Sequence, residues 1–519
     1  MIAINKEVQA SGSHSGKEFV LAFPNGVRYG YLRLYISTPI NETFSVHIET
    51  PLLSHTSMDV TVSSGTETVV IIPSDLNIAD TSKSDKSILV QAENPIVLFA
   101  SNMQADSGDS FIVYPVEVLS TEYVSVNLKS KVVAYQSMSA IIAVNDQTVV
   151  HLSLPLGSSV TYNGDTYTFG SQLSVNLIKY EIFQFSSKDD LSGTTIFSNY
   201  PIAVISGHQL GNPSVSVSGT IDMILEMLIP WKFWSTQYVA ISNPVFNSGY
   251  GELIRIFTLC ENATIIIDKP GVHSQINVSQ ESFYEFPLAL AEAAVITSDK
   301  PVLVSQVSSS HPYAGSRIGD PRSVLPAPID SWLHEYTFST PGRSYGGSFD
   351  HGLVLVAYSM VLDEITLDNE SLDPSTVWFK IADTNLNYTV LPLSQGAHTL
   401  KCIGNLKCWG YVFGIGVYEE YGTSIGRSFI KTKATDTLFI GKVVLALDMI
   451  DDHVLLTTPV SSTITQSRTE CAKMCLLAYC SFLSFRSADG VCYLYTEEQK
   501  CSPKKESSNF RRYYIRDSE

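Results

Sequence analysis

The chain has 519 residues, of which 44% are hydrophobic and 16% charged, with a formal net charge of −18 and a mean hydropathy of +0.11. One hydrophobic core does not grow to this size, so we expect three to five structural units. The acidity excludes nucleic acid as a partner, because a phosphate backbone needs a basic face. No apolar run reaches the roughly 18 residues of a spanning helix, so we predict no membrane span.

The first eleven residues, Met1 to Ser11, lack the apolar segment of a signal peptide. This favours either an incomplete N-terminus or an intracellular protein. An argument for secretion therefore has to come from the cysteines further along the chain.

Three short signals recur in the same order at a period of roughly 100 residues, which indicates a repeat architecture. They are an aromatic strand opener, an apolar–turn–apolar segment ending in proline, and a connector proline eight residues before the next opener. The openers centre on Phe19, Tyr123, Tyr238 and Tyr336, the segment prolines are Pro95, Pro201 and Pro301, and the connector prolines are Pro115, Pro230 and Pro328. Acidic residues precede the connectors at Asp109, Asp222 and Asp320. We interpret all of these residues as architectural.

The third repeat, from Tyr238 to Gln306, contains seven short runs of β-branched and aromatic residues separated by turn residues. This pattern is typical of a two-sheet antiparallel sandwich. A β-propeller is the alternative, but its blades would be shorter, about 45 residues. We predict a mainly β fold of about four tandem antiparallel β-sandwich repeats, at residues 16–110, 111–225, 226–325 and 326–430.

Four segments within these repeats resemble the N-terminal region of IgGFc-binding proteins. They are Gly16–Pro24, Gly319–Pro326, Trp332–Phe338 and Tyr421–Gly426. The resemblance covers about residues 16–430 and implies a secreted, mucus- or matrix-associated binding protein. It does not by itself imply antibody binding, because von Willebrand type D domains follow this region in the mucin-like members and a different cysteine-rich segment follows it here.

Five of the eight cysteines lie after residue 470, which indicates a disulfide-bonded small domain in an oxidising compartment. A zinc site would need four closely spaced ligands, and no histidine follows His453. Cys402 and Cys408 enclose a short loop and are expected to pair.

The tail is predicted to form a helix at Thr469–Cys480, followed by strands at Ser481–Phe485 and Val491–Tyr495. This order resembles a PAN/apple-type module, a small α+β disulfide-bonded fold, over about residues 433–517. The resemblance implies the pairs Cys471–Cys492 and Cys475–Cys480. Together with Cys402–Cys408, these pairs leave over Cys260 and Cys501, which could bridge two domains, remain as a free thiol or link two chains.

No catalytic, cofactor-binding or metal-binding residues are predicted. The segment Gly422–Gly426 matches a nucleophile elbow, but no helical pattern follows it, so we interpret it as a turn. The candidate glycan-binding set consists of the basic tail residues Lys500, Lys504, Lys505, Arg511, Arg512 and Arg516. The N-glycosylation sequons are at Asn41, Asn262, Asn277, Asn369 and Asn387.

Together these features predict a secreted, non-enzymatic binding or adhesion protein without a cofactor, whose partner is an extracellular glycoprotein or glycan. One alternative is a secreted hydrolase whose site is assembled between repeats. The other is a structural matrix component that associates with itself, joined through Cys260 or Cys501. The sequence predicts no oligomeric state.

Overall fold

The computed structural model divides the chain into two compact units, Met1–Lys431 and Thr432–Glu519. It describes residues 12–430, apart from 25–29, 54–55, 105, 130–133, 214–220, 245–250, 310–319, 344–346, 382–383, 403–406 and 418, and the backbone of seven tail strands. The prediction of a mainly β fold is confirmed. Throughout the described residues, the helical elements are short 3-10 turns.

The described strands of the first unit fall into four groups, of which the first three share one plan. The first group contains β1 (Gly16–Leu21), β2 (Tyr31–Ser37), β3 (Thr43–Glu49), β4 (Ser57–Ser63), β5 (Thr68–Ile72), β6 (Ser82–Ser84), β7 (Ile88–Gln104) and β8 (Ser107–Val113). The second contains β9 (Ser120–Val124), β10 (Ser137–Ala143), β11 (Thr148–Ser153), β12 (Ser159–Tyr162), β13 (Asp165–Thr168), β14 (Gln172–Leu177), β15 (Ile182–Ser187), β16 (Thr195–Gly211) and β17 (Asp222–Met227).

The third and fourth groups follow. The third contains β18 (Ser235–Ile241), β19 (Glu252–Phe257), β20 (Ala263–Lys269), β21 (Val272–Val278), β22 (Phe283–Leu288), β23 (Ala293–Ser308) and β24 (Ser323–Val324). The fourth contains β25 (Glu335–Thr340), β26 (Asp350–Tyr358), β27 (Ile365–Leu367), β28 (Glu370–Ser371), β29 (Phe379–Lys380), β30 (Leu386–Leu393), β31 (Gly396–Cys402), β32 (Trp409–Ile415) and β33 (Glu420–Ser424). The predicted boundaries at residues 110 and 225 fall inside β8 and β17.

A long strand organises each of the first three groups, because its two halves pair with different neighbours. In the third group the first half of β23 pairs with β18 and β20, and the second half pairs with β19 and β24. β7 and β16 are used in the same way. The groups also exchange an element, since β6 of the first group pairs with β15 of the second.

The segment prolines lie within the long strands, where the sequence predicted a turn. The register of β23 shifts on either side of Pro301, so that Val302 pairs with Ser235 and Thr297 pairs with Gln237. Equivalent shifts occur around Pro95 and Pro201. Proline is tolerated at such a bulge because no ladder hydrogen bond is required from its nitrogen. The expectation of two strands separated by a turn is therefore replaced by one bent strand.

We call this bend the corner of each group. In three of the groups a buried tyrosine stabilises the corner through hydrogen bonds. The Tyr238 hydroxyl donates to the Val302 carbonyl at 2.6 Å and accepts from the Ser235 amide at 3.2 Å. Tyr123 and Tyr336 make the same pair of bonds. The first group has Phe19 at this position, which is equally buried but lacks the hydroxyl.

The fourth group turns the corner differently. Its long strand is replaced by β31 and β32, which are joined by a disulfide between Cys402 and Cys408. The Tyr336 hydroxyl donates to the carbonyl of Cys408, so this residue takes the place that Val302 has in the third group.

Four inner strands, β8, β17, β24 and β33, form a closed ring. β8 and β17 are joined through Asp109 and Leu225, and Glu226 of β17 accepts from Leu325 directly after β24. Arg322, directly before β24, binds Glu420 of β33, and the Thr423 hydroxyl of β33 accepts from Ile112 of β8. The first segment of the described chain completes the closure, since His14 and Phe429 exchange backbone hydrogen bonds with Arg427 and Gly12.

The tail backbone forms a five-stranded antiparallel sheet in the order β34-β40-β37-β38-β36 and a two-stranded sheet of β35 and β39. These strands are β34 (Leu447–Ile450), β35 (His453–Leu455), β36 (Ser461–Ile464), β37 (Phe482–Arg486), β38 (Val491–Tyr495), β39 (Lys504–Glu506) and β40 (Arg511–Ile515). β37 begins and ends one residue later than its predicted counterpart. The predicted helix at Thr469–Cys480 lies outside the described residues.

Candidate functional site

Acidic side chains fill the centre of the ring of inner strands. Six carboxylic acids are no more than 4% exposed there. They are Asp109, Asp222, Glu226, Glu252, Asp320 and Glu420. We call this set the acidic centre. Carboxylates are rarely buried without a partner, so the contacts of each one decide what the acidic centre does.

Asp222 is the most extensively hydrogen-bonded member. Its Oδ1 accepts from the Ser107 hydroxyl and from the amides of Gly108 and Met223, each at 2.7 Å. Its Oδ2 accepts from the Glu420 amide at 3.3 Å. One aspartate thus holds β8, β17 and β33 together.

Arg322 is a buried cation within the acidic centre. Its Nε donates to Glu420 at 2.6 Å and its Nη2 donates to Glu252 at 2.8 Å, and its guanidinium lies 5.1 Å from the ring centroid of Tyr411. Gly422 makes room for it, because a Cβ added there would lie 2.6 Å from the Cδ of Arg322. This contact explains one glycine of the elbow-like motif.

Burial raises the pKa of four carboxyl groups in the acidic centre, those of Asp109, Asp222, Glu226 and Glu420. The pKa of Glu420 is raised to about 8 despite its bond to Arg322. Burial also raises the pKa of Asp109, Asp222 and Glu226 well above the ordinary values, and Asp320 adds a repulsive charge to Asp222. Desolvation therefore outweighs the hydrogen bonds to these groups.

Sequence reasoning found only part of the acidic centre. Asp222 and Asp320 each lie eight residues before a connector proline, but Asp109 lies six before Pro115, and Ser107 has the equivalent place. Arg322, Glu226, Glu252 and Glu420 were missed. Glu226 has a recognisable signal, because it is the single charged residue in the apolar run that leads from Asp222 to Pro230, whereas the other three have no comparable signal.

The elbow-like motif has no accessible nucleophile. Ser424 is 1% exposed, its hydroxyl accepts from the Trp409 indole at 3.1 Å, and it donates to the Gly426 carbonyl at 3.3 Å. His208 is buried as well, and burial lowers its pKa to about 4. Among the described residues, no group of three or more His, Cys, Asp or Glu side chains is arranged to hold a metal ion.

The predicted glycosylation sites differ in exposure. Asn41, Asn262, Asn277 and Asn369 are exposed, whereas Asn387 is half-buried and donates to the Ser359 hydroxyl at 2.6 Å. Two of the exposed sites share the hairpin of β20 and β21, where Thr264 pairs with Asn277. Three such antiparallel pairs, β3–β4, β20–β21 and β11–β14, alternate between more and less buried residues, and in the last pair β12 and β13 lie between the two strands in the chain. We call these three pairs the outer hairpins.

The cysteines are described in part. Besides the Cys402–Cys408 bridge, Cys260 is bonded in a disulfide, so the free-thiol alternative does not apply to it. Cys471, Cys475, Cys480 and Cys501 lie outside the described residues, as does the side chain of Cys492. The pairs Cys471–Cys492 and Cys475–Cys480 stay predictions.

The basic tail residues are distributed over two sheets. Lys504 and Lys505 are in β39, and Arg511 and Arg512 are in β40. Lys500 and Arg516 lie outside the described residues. No helix in the described part of the chain is long and apolar enough to cross a membrane.

The first unit consists of repeated β-sheet groups closed into a ring, and the cysteine-rich tail forms the second unit. Comparisons with known proteins match both units to families. The model of the IgGFc binding protein family matches residues 109–414, more than half of the chain, and the PAN domain model matches residues 446–517. The chain belongs to the IgGFc binding protein family. The human IgGFc-binding protein is 23% identical over 430 residues, which is 81% of this chain and 8% of that protein.

Proposed function

We propose that this protein is a secreted, non-enzymatic binding or adhesion protein that recognises glycoproteins or glycans at a mucus or matrix surface. Its family and its PAN domain carry the proposal. The disulfide between Cys402 and Cys408 supports an oxidising, extracellular location, because such bonds persist there.

The division of the chain supports a scaffold that carries binding surfaces. The inner strands are buried along their length, so they hold the groups together and are inaccessible to a macromolecule. Exposed loops and hairpins, together with the tail, remain as contact surfaces. The name of the human relative states that it binds the Fc part of IgG. An immunoglobulin glycoprotein is therefore one partner to test.

Within this proposal, the six basic tail residues bind acidic groups on glycans. A sulfated or sialylated glycan suits them, because arginine and lysine form charge-assisted hydrogen bonds with sulfate and carboxylate. The acidic remainder of the chain, with a net charge of −18 overall, would repel the same glycans and confine their binding to the tail.

The test uses the full chain, secreted from mammalian cells, on immobilised mucin, heparin and IgG Fc. One variant replaces the six tail residues by alanine. A charge-matched control replaces six exposed lysines of the first unit, namely Lys17, Lys83, Lys129, Lys179, Lys188 and Lys380. We expect the tail variant to lose at least tenfold in affinity for mucin or heparin and the control to stay within about twofold.

Equal losses in both variants would show that net charge, and not the tail, governs binding. Absence of binding to all three probes would contradict the proposed function. Release of sugar or peptide fragments during incubation would instead support the hydrolase alternative.

A further inference from the structure

The buried charges at the centre of the ring do not balance. Five members of the acidic centre carry the argument, namely Asp109, Asp222, Glu226, Glu252 and Glu420. In the described part of the chain, Arg322 forms ion pairs with two of them, Glu252 and Glu420. Fully ionised, these five acids and Arg322 would carry four net negative charges in a region closed to water. Burial on this scale is far more costly than neutralising the groups.

The contacts show that the acids lie at the junctions between groups of strands. Glu226 joins β17 to the residue after β24 with a bond of 3.2 Å, and Asp109 joins β8 to β17 with a bond of 2.9 Å. Asp222 accepts from Glu420 of β33. Repulsion among these carboxylates would therefore push apart the inner strands that close the ring.

We propose that the acidic centre is a proton-controlled lock, in which the repeats close around protonated carboxyl groups and rising pH loosens the ring. The direction of the pKa shifts agrees, since burial raises the pKa of Asp109, Asp222, Glu226 and Glu420. The proposal goes beyond binding and does not depend on the identity of the partner.

Other titratable groups surround the lock. The charged and titratable groups that face it from the neighbouring elements are Arg322, Tyr411 and Tyr421, and beyond them Tyr114, Glu419, Arg343 and Arg427. The tyrosines have a raised pKa because they are buried, so they stay neutral in the range of interest. Glu419 is bound by Arg343 at 2.6 Å.

The direction of the pH dependence of stability follows from the linkage between proton binding and folding. A carboxyl group whose pKa is raised in the folded state holds a proton that the unfolded chain releases above about pH 4 to 5. Each such group makes the unfolding equilibrium constant grow about tenfold per pH unit, until the pH exceeds its folded pKa. The buried histidines His14, His208 and His351, with a pKa lowered to about 4, oppose this trend only below about pH 6.5. The pH dependence due to the carboxyl groups should therefore be measured between about pH 6.5 and 8, where the histidines do not oppose it.

The experiment is urea unfolding of the full chain across this window, with its disulfides intact. All five tryptophans belong to the first unit, so their fluorescence reports on the ring and not on the tail. We expect the unfolding equilibrium constant to rise at least tenfold per pH unit. A constant that is flat, or that falls with rising pH, would overturn the proposal.

Glu226→Gln and Asp222→Asn separate a proton lock from a merely structural role. Each is expected to reduce the pH dependence by about one proton, a tenfold smaller change per pH unit, whereas Glu93→Gln on the exposed part of β7 should leave it unchanged. A variant that is less stable but keeps the full pH dependence would contradict the assignment of its residue. If both variants fail to fold, the pH dependence of the unsubstituted chain still decides.

Discussion

The outer hairpins and the inner strands belong to the same repeats but have opposite chemistry. In the hairpin of β20 and β21, buried apolar residues such as Ile265 alternate with more exposed ones, and sequons and ion pairs lie at the surface. In β8 and β17 every residue is buried, including Asp109 and Asp222. The comparison shows that alternation of apolar and polar residues in the sequence indicates a strand with one face in water. Such alternation is absent from strands in which both faces are covered, so it gives no information about them.

The largest expected difference between the two regions concerns their ion pairs. Arg322→Gln would leave Glu252 and Glu420 buried without a cation, and we expect it to lower the free energy of unfolding by about 3–5 kcal/mol at pH 7.5. Lys300→Gln breaks the exposed pair with Glu261 on the outer surface and should cost about 0–1 kcal/mol. Urea unfolding measures both, and similar costs would contradict the distinction.

The corners that connect the two regions should show an intermediate effect. Tyr238→Phe removes a hydroxyl that serves the Ser235 amide and the Val302 carbonyl, and we expect a loss of about 1–3 kcal/mol. Tyr284→Phe is the matched control, since this ring is 37% exposed, and its loss should stay below about 0.5 kcal/mol. Phe19 shows that a corner can close without the hydroxyl, so an unchanged stability of Tyr238→Phe would mean that packing alone is sufficient.

The smallest effect on stability is expected at the outer hairpins. Asn277→Gln should remove the mass of one N-glycan from the secreted protein and change the free energy of unfolding by about 0.5 kcal/mol or less. Asn387→Gln should leave the mass of the glycans unchanged, because Asn387 is bonded to Ser359 and the sequon threonine Thr389 is 2% exposed. Intact-mass spectrometry before and after enzymatic deglycosylation distinguishes the two. A glycan on Asn387 would contradict the described packing of β30.

The sequence was informative where one face of a strand meets water. Turn residues and alternation predicted the strands of the third repeat, and β38 begins and ends at the predicted residues. At Pro301 the sequence predicts a turn where the structure has a bulge, because proline near Asp299 has the same local signature in both. The sequence pattern includes Asp109, Asp222 and Asp320 but does not predict that they form one acidic centre, since its pairs join residues distant in the chain, such as Arg322 with Glu420.

Hydrogen exchange of the full chain, measured by mass spectrometry with and without bound mucin, tests the account most directly. Its central claim is that the inner strands form a fixed scaffold and that binding occurs on the outer surface and the tail. We expect β8, β17 and β33 to exchange slowest and to remain unchanged when mucin binds, and new protection to appear in the tail or the outer hairpins. Fast exchange in the inner strands, or protection that appears there on binding, would contradict the claim.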